Sequence, residues 1–217
     1  MTILSEIEVR VLGALVEKQV TTPEYYPLTL NALTLACNQK NNRFPVTKYS
    51  ENEVAVALET LREKNLTYVF HGSTSRVPKY KHVMPEVLHL NPPETALLCV
   101  LMLRGPQTTG ELRGNASRLY EFSGLDEVDA TISGLLSHEP DPLVIRLARQ
   151  PGQKESRMAH LLAGPPSEES FEAQPQRSSS RQTDRERIES LEHTVATLRE
   201  EMQALKLQLE EFEKQFE

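Results

Sequence analysis

Tryptophan is absent from this chain, aromatic side chains make up 6% of its 217 residues, and cysteine occurs twice. Each shortage excludes something. Cys37 and Cys99 each sit inside a helical pattern and neither belongs to a C-x-x-C pair, so a disulfide scaffold and a thiolate metal site are unsupported and two buried free thiols are expected. No run approaches the roughly eighteen apolar residues of a membrane span. The opening Met-Thr-Ile-Leu-Ser-Glu lacks the basic and apolar regions of a signal peptide, and a cytoplasmic protein is expected. His71, His82, His89, His138, His160 and His193 show no zinc spacing, and each reads as a surface or wing residue. No G-x-x-x-x-G-K, G-x-G-x-x-G or G-x-S-x-G string is present, so phosphate cradles and nucleophile elbows are unsupported. The expectation is a non-enzyme without a cofactor.

What the chain does have is one pattern written twice. Leu4, Ser5, Glu8, Leu12 and Leu15 match Leu90, Asn91, Glu94, Leu98 and Leu101, and further on Glu53, Val54, Leu58 and Leu61 match Glu127, Val128, Ile132 and Leu135. Three helices closed by a turn-bearing strand pair make a winged-helix unit, a helix-turn-helix variant whose usual partners are nucleic acids or other proteins. The expected fold is mainly α with small β-wings: two tandem winged-helix domains over residues 1–85 and 86–164, a flexible linker over 165–182 and a coiled-coil helix over 183–217. The 38% apolar content suits two small cores.

In the first copy, Ser5 and Glu8 form a capping box that predicts a helix from Glu6 to about Lys18. Thr21-Thr-Pro interrupts it, and a second helix beginning near Pro27 places Leu30, Leu33, Ala36 and Cys37 on one face. A polar connection from Asn38 to Tyr49 leads to a third helix, capped by Ser50 and Glu53, turning Val54, Ala57, Leu58 and Leu61 inward and stopping at Asn65. Alternation over Leu66–His71, a Gly72 turn and Arg76–Val83 predict the first wing. In the second copy Asn91, Pro92 and Glu94 start a helix that ends at Gly105-Pro. Thr108 or Thr109 caps a helix bearing Leu112, Leu119 and Phe122, a far shorter link follows, and Leu125–Ser137 is the third helix. Leu143–Leu147 and Glu155–Leu162 flank the Gln150-Pro-Gly-Gln turn of a second wing.

Charge is unevenly spread behind the net −7. Residues 1–83 carry ten basic and eight acidic groups, residues 84–164 seven and ten, and the remainder seven and thirteen. Affinity for nucleic acid comes largely from cations that neutralise phosphates, so only the first copy is a candidate binder. Its third helix carries Glu51, Glu53, Glu59 and Glu63 against Arg62 and Lys64, which disfavours base reading in a groove. The candidate phosphate contacts lie to either side: Lys40, Arg43 and Lys48 in the polar loop, and Arg76, Lys79 and Lys81 with His82 in the wing. The alternative reading of the same loop is a solvated segment pinned to the core by Phe44 and Pro45. Asp126, Glu127 and Asp129 make the second third helix still less suited to phosphate, although Arg146, Arg149, Lys154 and Arg157 make its wing basic.

Residues 165–182 are rich in Ser, Glu, Gln, Pro and Arg, with too few apolar side chains to offset the entropy of ordering. Beyond them Ile188, Leu191, Val195, Leu198, Met202, Leu205, Leu209 and Phe212 recur at alternating spacings of three and four, a heptad seam. β-Branched residues at the first two a positions with Leu at the matching d positions favour a parallel homodimer. Docking of this stripe on the chain's own domains, or on another protein's helix, is the alternative.

Several longer strings carry a family resemblance. Tyr26-Pro-Leu-Thr-Leu-Asn-Ala-Leu, Ala36-Cys-Asn-Gln-Lys, Arg43-Phe-Pro-Val, Arg76-Val-Pro-Lys-Tyr-Lys-His, Leu103-Arg-Gly-Pro-Gln-Thr-Thr-Gly-Glu-Leu, Pro151-Gly-Gln-Lys-Glu-Ser-Arg and Ala159-His-Leu-Leu occur in this order. Over about residues 3–164 the chain resembles the bacterial YceH-like family of tandem winged-helix proteins. The resemblance implies the fold and no reaction. The sequence supports two functions: nucleic-acid association, DNA above all and with a role in gene regulation, through the loop and wings; or an adaptor that grips another protein with its winged helices and coiled coil.

Overall fold

A computed structural model of the chain describes residues 3–70, 77–149 and 155–165. The tip of the first wing with Arg76, the tip of the second with Lys154, the linker from residue 166 onward and the heptad helix from Ile188 to Phe212 lie outside the described residues.

The first repeat consists of α1 (Glu6–Thr21), β1 (Leu28–Thr29), α2 (Leu30–Cys37), α3 (Glu51–Glu63), β2 (Thr67–Phe70) and β3 (Lys79–His82). A short α4 (Met84–Val87) leads to the second, made of α5 (Pro92–Arg104), α6 (Thr109–Ala116), α7 (Leu125–Leu136), β4 (Val144–Arg146) and β5 (Met158–His160). Mainly helical with two small antiparallel sheets, the described residues have the composition expected of winged-helix units. Among them no helix is long and apolar enough to cross a membrane. Cys37 and Cys99 are free and buried.

Local chemistry explains the helix ends. Capping boxes open α1 (Ser5 with Glu8), α3 (Ser50 with Glu53), α5 (Asn91 with Glu94) and α6 (Thr108 with Glu111), so two orphan amides are satisfied at each start. After α3, Asn65 takes the left-handed conformation (φ 57°), and the Asn65 and Leu66 amides donate back to the Arg62 and Leu61 carbonyls, closing the helix by a Schellman motif.

Two expected boundaries move, each for a tertiary reason. The second helix begins at Leu30 rather than near Pro27, because Leu28 and Thr29 pair with Tyr80 and Lys79 of β3 and Thr29 then caps α2. In the second repeat Gln107 forms the equivalent bridge to Met158 and Thr108 caps α6, so the two copies agree at a detail that periodicity does not encode. α6 stops at Ala116, short of Leu119 and Phe122. The chain turns there, with the Leu119 and Tyr120 amides both donating to the Ala116 carbonyl, which buries Phe122 beside Tyr120 and lets the Tyr120 hydroxyl donate to Glu127.

The two small cores anticipated from composition are one. α1 is buried continuously from Glu8 to Val16 and α5 from Ala96 to Leu103, because each helix packs on its own repeat with one side and on the other opening helix with the opposite side. Gly13 permits that approach: a methyl group there would stand 3.0 Å from Leu103 Cδ2 and 3.2 Å from Met102 Cβ. At the same point the Cys99 thiol donates to the Gly13 carbonyl at 3.4 Å. Burial pushes the Cys37 thiol up to about 12 and raises that of Cys99 as well, so both remain protonated apolar fillers.

Candidate nucleic-acid interface

The loop between α2 and α3 is held from within. Arg10 on α1 donates to the Cys37 carbonyl (3.2 Å), the Pro45 carbonyl (2.8 Å) and the Thr47 hydroxyl (3.4 Å). Arg43 donates to the Ala36 carbonyl through Nε and Nη2 and grips both carboxylate oxygens of Glu17, at 3.0 and 2.5 Å. Its side chain is fully buried. Arg43 is therefore removed from the expected phosphate-contacting set, since a charge engaged by a carboxylate and carbonyls in the interior cannot meet an external anion. Lys40 and Lys48, by contrast, are exposed on this loop. The Phe44 amide donates to the Leu103 carbonyl at 2.9 Å, so the loop also ties the first repeat to α5.

Strand register sorts the residues of the first wing. Tyr68 faces Lys81 and Phe70 faces Lys79 across β2 and β3, and because directly paired residues share a sheet face, these four stand together on one side. Tyr68 and Phe70 are 37% and 43% exposed, and the Lys81 ammonium lies 5.8 Å from the Tyr68 ring centroid. The opposite face carries Leu28, Thr67, Val69, Tyr80 and His82 toward the core. His82 is thus corrected from wing surface to interior: it is 3% exposed, and neither ring nitrogen has a partner among the described residues. Burial, then the Lys81 charge, push its pKa down to about 4. Its backbone amide donates to the Tyr26 hydroxyl at 2.9 Å. His160 in the second wing follows suit, lowered to about 4 by burial.

Neither third helix offers cations to a groove. Arg62 pairs with Glu59 at 2.6 Å, and Lys64 donates to Glu8 at 2.6 Å, fastening the end of α3 to the start of α1. Burial acts to raise the Glu8 pKa, but the bonds from Lys64 and Ser5 outweigh it and leave it lowered. On α7, Glu127 accepts from the Ser123 amide, the Ser123 hydroxyl and the Tyr120 hydroxyl, which hold its carboxyl below the usual range. The second wing is also less basic than its sequence suggests, because Arg157 is engaged by Glu111 at 2.7 Å and by the Pro106 carbonyl at 2.9 Å. Among the described residues no cluster of three metal-ligating side chains occurs.

Charge and order along the chain point to the loop and wing cations, but not to Tyr68 and Phe70 as their partners. Alternation marked these aromatics as strand residues; only the register shows which lysine each one faces.

The family model described as "Protein of unknown function, DUF480" matches residues 4–153. The chain belongs to the DUF480 family. A UPF0502 protein of Geobacter sulfurreducens is 50% identical over 99% of both chains. One from Opitutus terrae is 54% identical over 81% of this chain and 76% of its own, and one from Aliivibrio fischeri strain ES114 is 46% identical over 95% and 96%. The YceH-like resemblance read from the strings is this relationship.

Proposed function

We propose that this protein is a non-enzymatic nucleic-acid-binding protein that uses the outer face of the first wing, with Lys40 and Lys48 on the loop adding phosphate contacts. The carrying observation is the register that sets Tyr68 against Lys81 and Phe70 against Lys79. Exposed aromatic faces stack on unpaired bases while neighbouring ammonium groups meet the backbone, a mode that needs no base-reading helix. The acidic α3 is compatible with it because that helix is not asked to enter a groove. Association with DNA in this way suits a role in transcriptional regulation, and the heptad seam from Ile188 to Phe212 supports a homodimer that would present two such wings.

Fluorescence anisotropy with labelled single-stranded and duplex oligonucleotides at low salt tests the reading. Tyr68→Ala with Phe70→Ala should weaken single-strand binding tenfold or more, at about 1–3 kcal/mol per stacked base. Lys79→Glu with Lys81→Glu should weaken both forms and flatten the salt dependence. Binding that is absent at low salt, or indifferent to all four changes, would sink it.

A second reading, a protein adaptor, draws on Leu35 of α2 and Val56 of the acidic α3, which are 65% and 58% exposed. Recovery of a stoichiometric protein partner at high salt, lost in Leu35→Asp and Val56→Asp but not in the wing variants, would favour it instead.

A further inference from the structure

A cleft of about 450 Å³ opens where the two repeats meet, between the end of α1, the loop after α2, the second half of α5 and the end of α6. Its walls are mostly polar. Lys18 and Lys40 come from the first repeat and Arg118 from the second, and none of the three is in an ion pair among the described residues. Arg104 shapes the floor by donating to Asn115 at 2.6 Å and to the side-chain oxygen of Asn42. The single carboxylate in the lining is Glu17, and its charge is already met by buried Arg43. Part of this positive charge is answered by the carbonyl ends of α1, α2 and α6, but helix termini supply only about half a charge each and within the last turn. In a chain of net charge −7, a concave site with several cations and no free acid concentrates positive potential at one place.

We infer that this cleft binds phosphate groups, specifically a small molecule carrying two or more of them. The volume falls within the range of small-molecule sites. The amides of the lining supply further donors, and Lys18, Lys40 and Arg118 come from three separate segments, on α1, after α2 and after α6, so a ligand with two phosphates can engage more of them than a single orthophosphate. Because the cations come from both repeats, an occupant would also fasten the repeats together. This site shares Lys40 with the loop contacts proposed above but none of the wing residues, and it stands if the wing reading fails.

The experiment is calorimetric titration of the full chain with magnesium-free pyrophosphate at low ionic strength, with orthophosphate and sulfate as comparisons, followed by thermal unfolding at saturation. Saturable binding at one site per chain is expected, tighter for pyrophosphate than for orthophosphate or sulfate, with a rise in Tm. Lys40→Glu and Arg118→Glu, both exposed and free of structural bonds, should each weaken it tenfold or more. Lys48→Glu makes the same charge change outside the cleft and should alter it less than twofold. Absence of binding, or equal weakening by all three variants, overturns the inference, since net charge alone would then explain the result. A competition arm identifies the source of the phosphates. Displacement of a labelled oligonucleotide by saturating pyrophosphate assigns the cleft to a nucleic-acid backbone, whereas undisturbed oligonucleotide binding assigns it to a free phosphorylated compound.

Discussion

The two repeats match in their three helices, in the capping boxes of α1 and α5, in the threonine caps of α2 and α6 and in the bridge before those second helices, yet they spend their charges differently. In the first, two arginines are drawn inside to hold a long loop, and lysines are left on the loop surface and the wing beside exposed aromatics. In the second, the link between α6 and α7 spans only residues 117–124, its acidic helix start is tied down by Tyr120 and Ser123, and the wing's Arg157 is neutralised by Glu111. On the proposed reading the first copy of the duplicated scaffold carries the wing contacts while the second packs against it across a shared core. A buried cation and an exposed one look alike in a charge count, so the difference lies in partners and not in composition.

The largest test of this contrast is Arg43→Ala. It would leave Glu17 partly buried without its cation and remove the bonds to Ala36, and unpairing a buried ion pair in this way costs about 3–5 kcal/mol. Urea unfolding should show that loss, and Arg43→Lys should recover little of it because an ammonium cannot grip both carboxylate oxygens and the carbonyl. If Arg43 were a surface contact, the substitution would leave stability unchanged and weaken only nucleic-acid binding.

A somewhat smaller effect is expected from acid. His82 has a pKa near 4 when folded against 6.5 ordinarily, so below pH 6.5 the unfolded chain takes up a proton that the folded chain refuses. Stability should therefore be level above about pH 7 and fall as the pH drops from 6.5 toward 4, by about 3 kcal/mol at the limit for this one group. His160 acts in the same direction. Replacing His82 with Phe keeps a ring against Tyr26, which His82 meets edge-on at 6.1 Å, and removes the titration. The urea midpoint of that variant should decline less steeply than the parent's between pH 6.5 and 5, above the range where the depressed carboxylates of Glu8 and Glu127 begin to protonate. An identical slope would mean that His82 is not the group responsible.

The fold was legible where the controlling chemistry is local. Ser5 with Glu8, Ser50 with Glu53 and Asn91 with Glu94 read as caps and act as caps, and Asn65 was readable as a left-handed stop because its own side chain tolerates that conformation. β1 was not, since two residues become a strand only through a partner some fifty positions away. Leu119 and Phe122 carry helical spacing from α6, but the chain turns at Ala116 and buries Phe122 edge-on against Tyr120. The candidate site was legible in its residue types and partly wrong in its membership. Arg43 lies among amides and lysines in the sequence, and no spacing rule announces that its partner is Glu17, back on the opening helix. Lys18 and Arg118, which share the cleft, are separated by most of both repeats, so only folding brings them together.

The gentlest probe acts on the junction itself. Gly13 faces Leu103 and Met102 at distances that leave no room for a branched side chain, and α1 and α5 are too fully buried to move apart without exposing core. Gly13→Val should therefore destabilise by about 1–3 kcal/mol through overpacking, even though valine is more hydrophobic than glycine. Gly13→Ala is the finer test, because at 3.0–3.2 Å a methyl needs its neighbours to yield by a few tenths of an ångström. If the repeats share one core, either substitution should lower a single cooperative unfolding transition followed by circular dichroism and by calorimetry alike. If the halves were independent, the strain would be relieved by parting them and two transitions would separate.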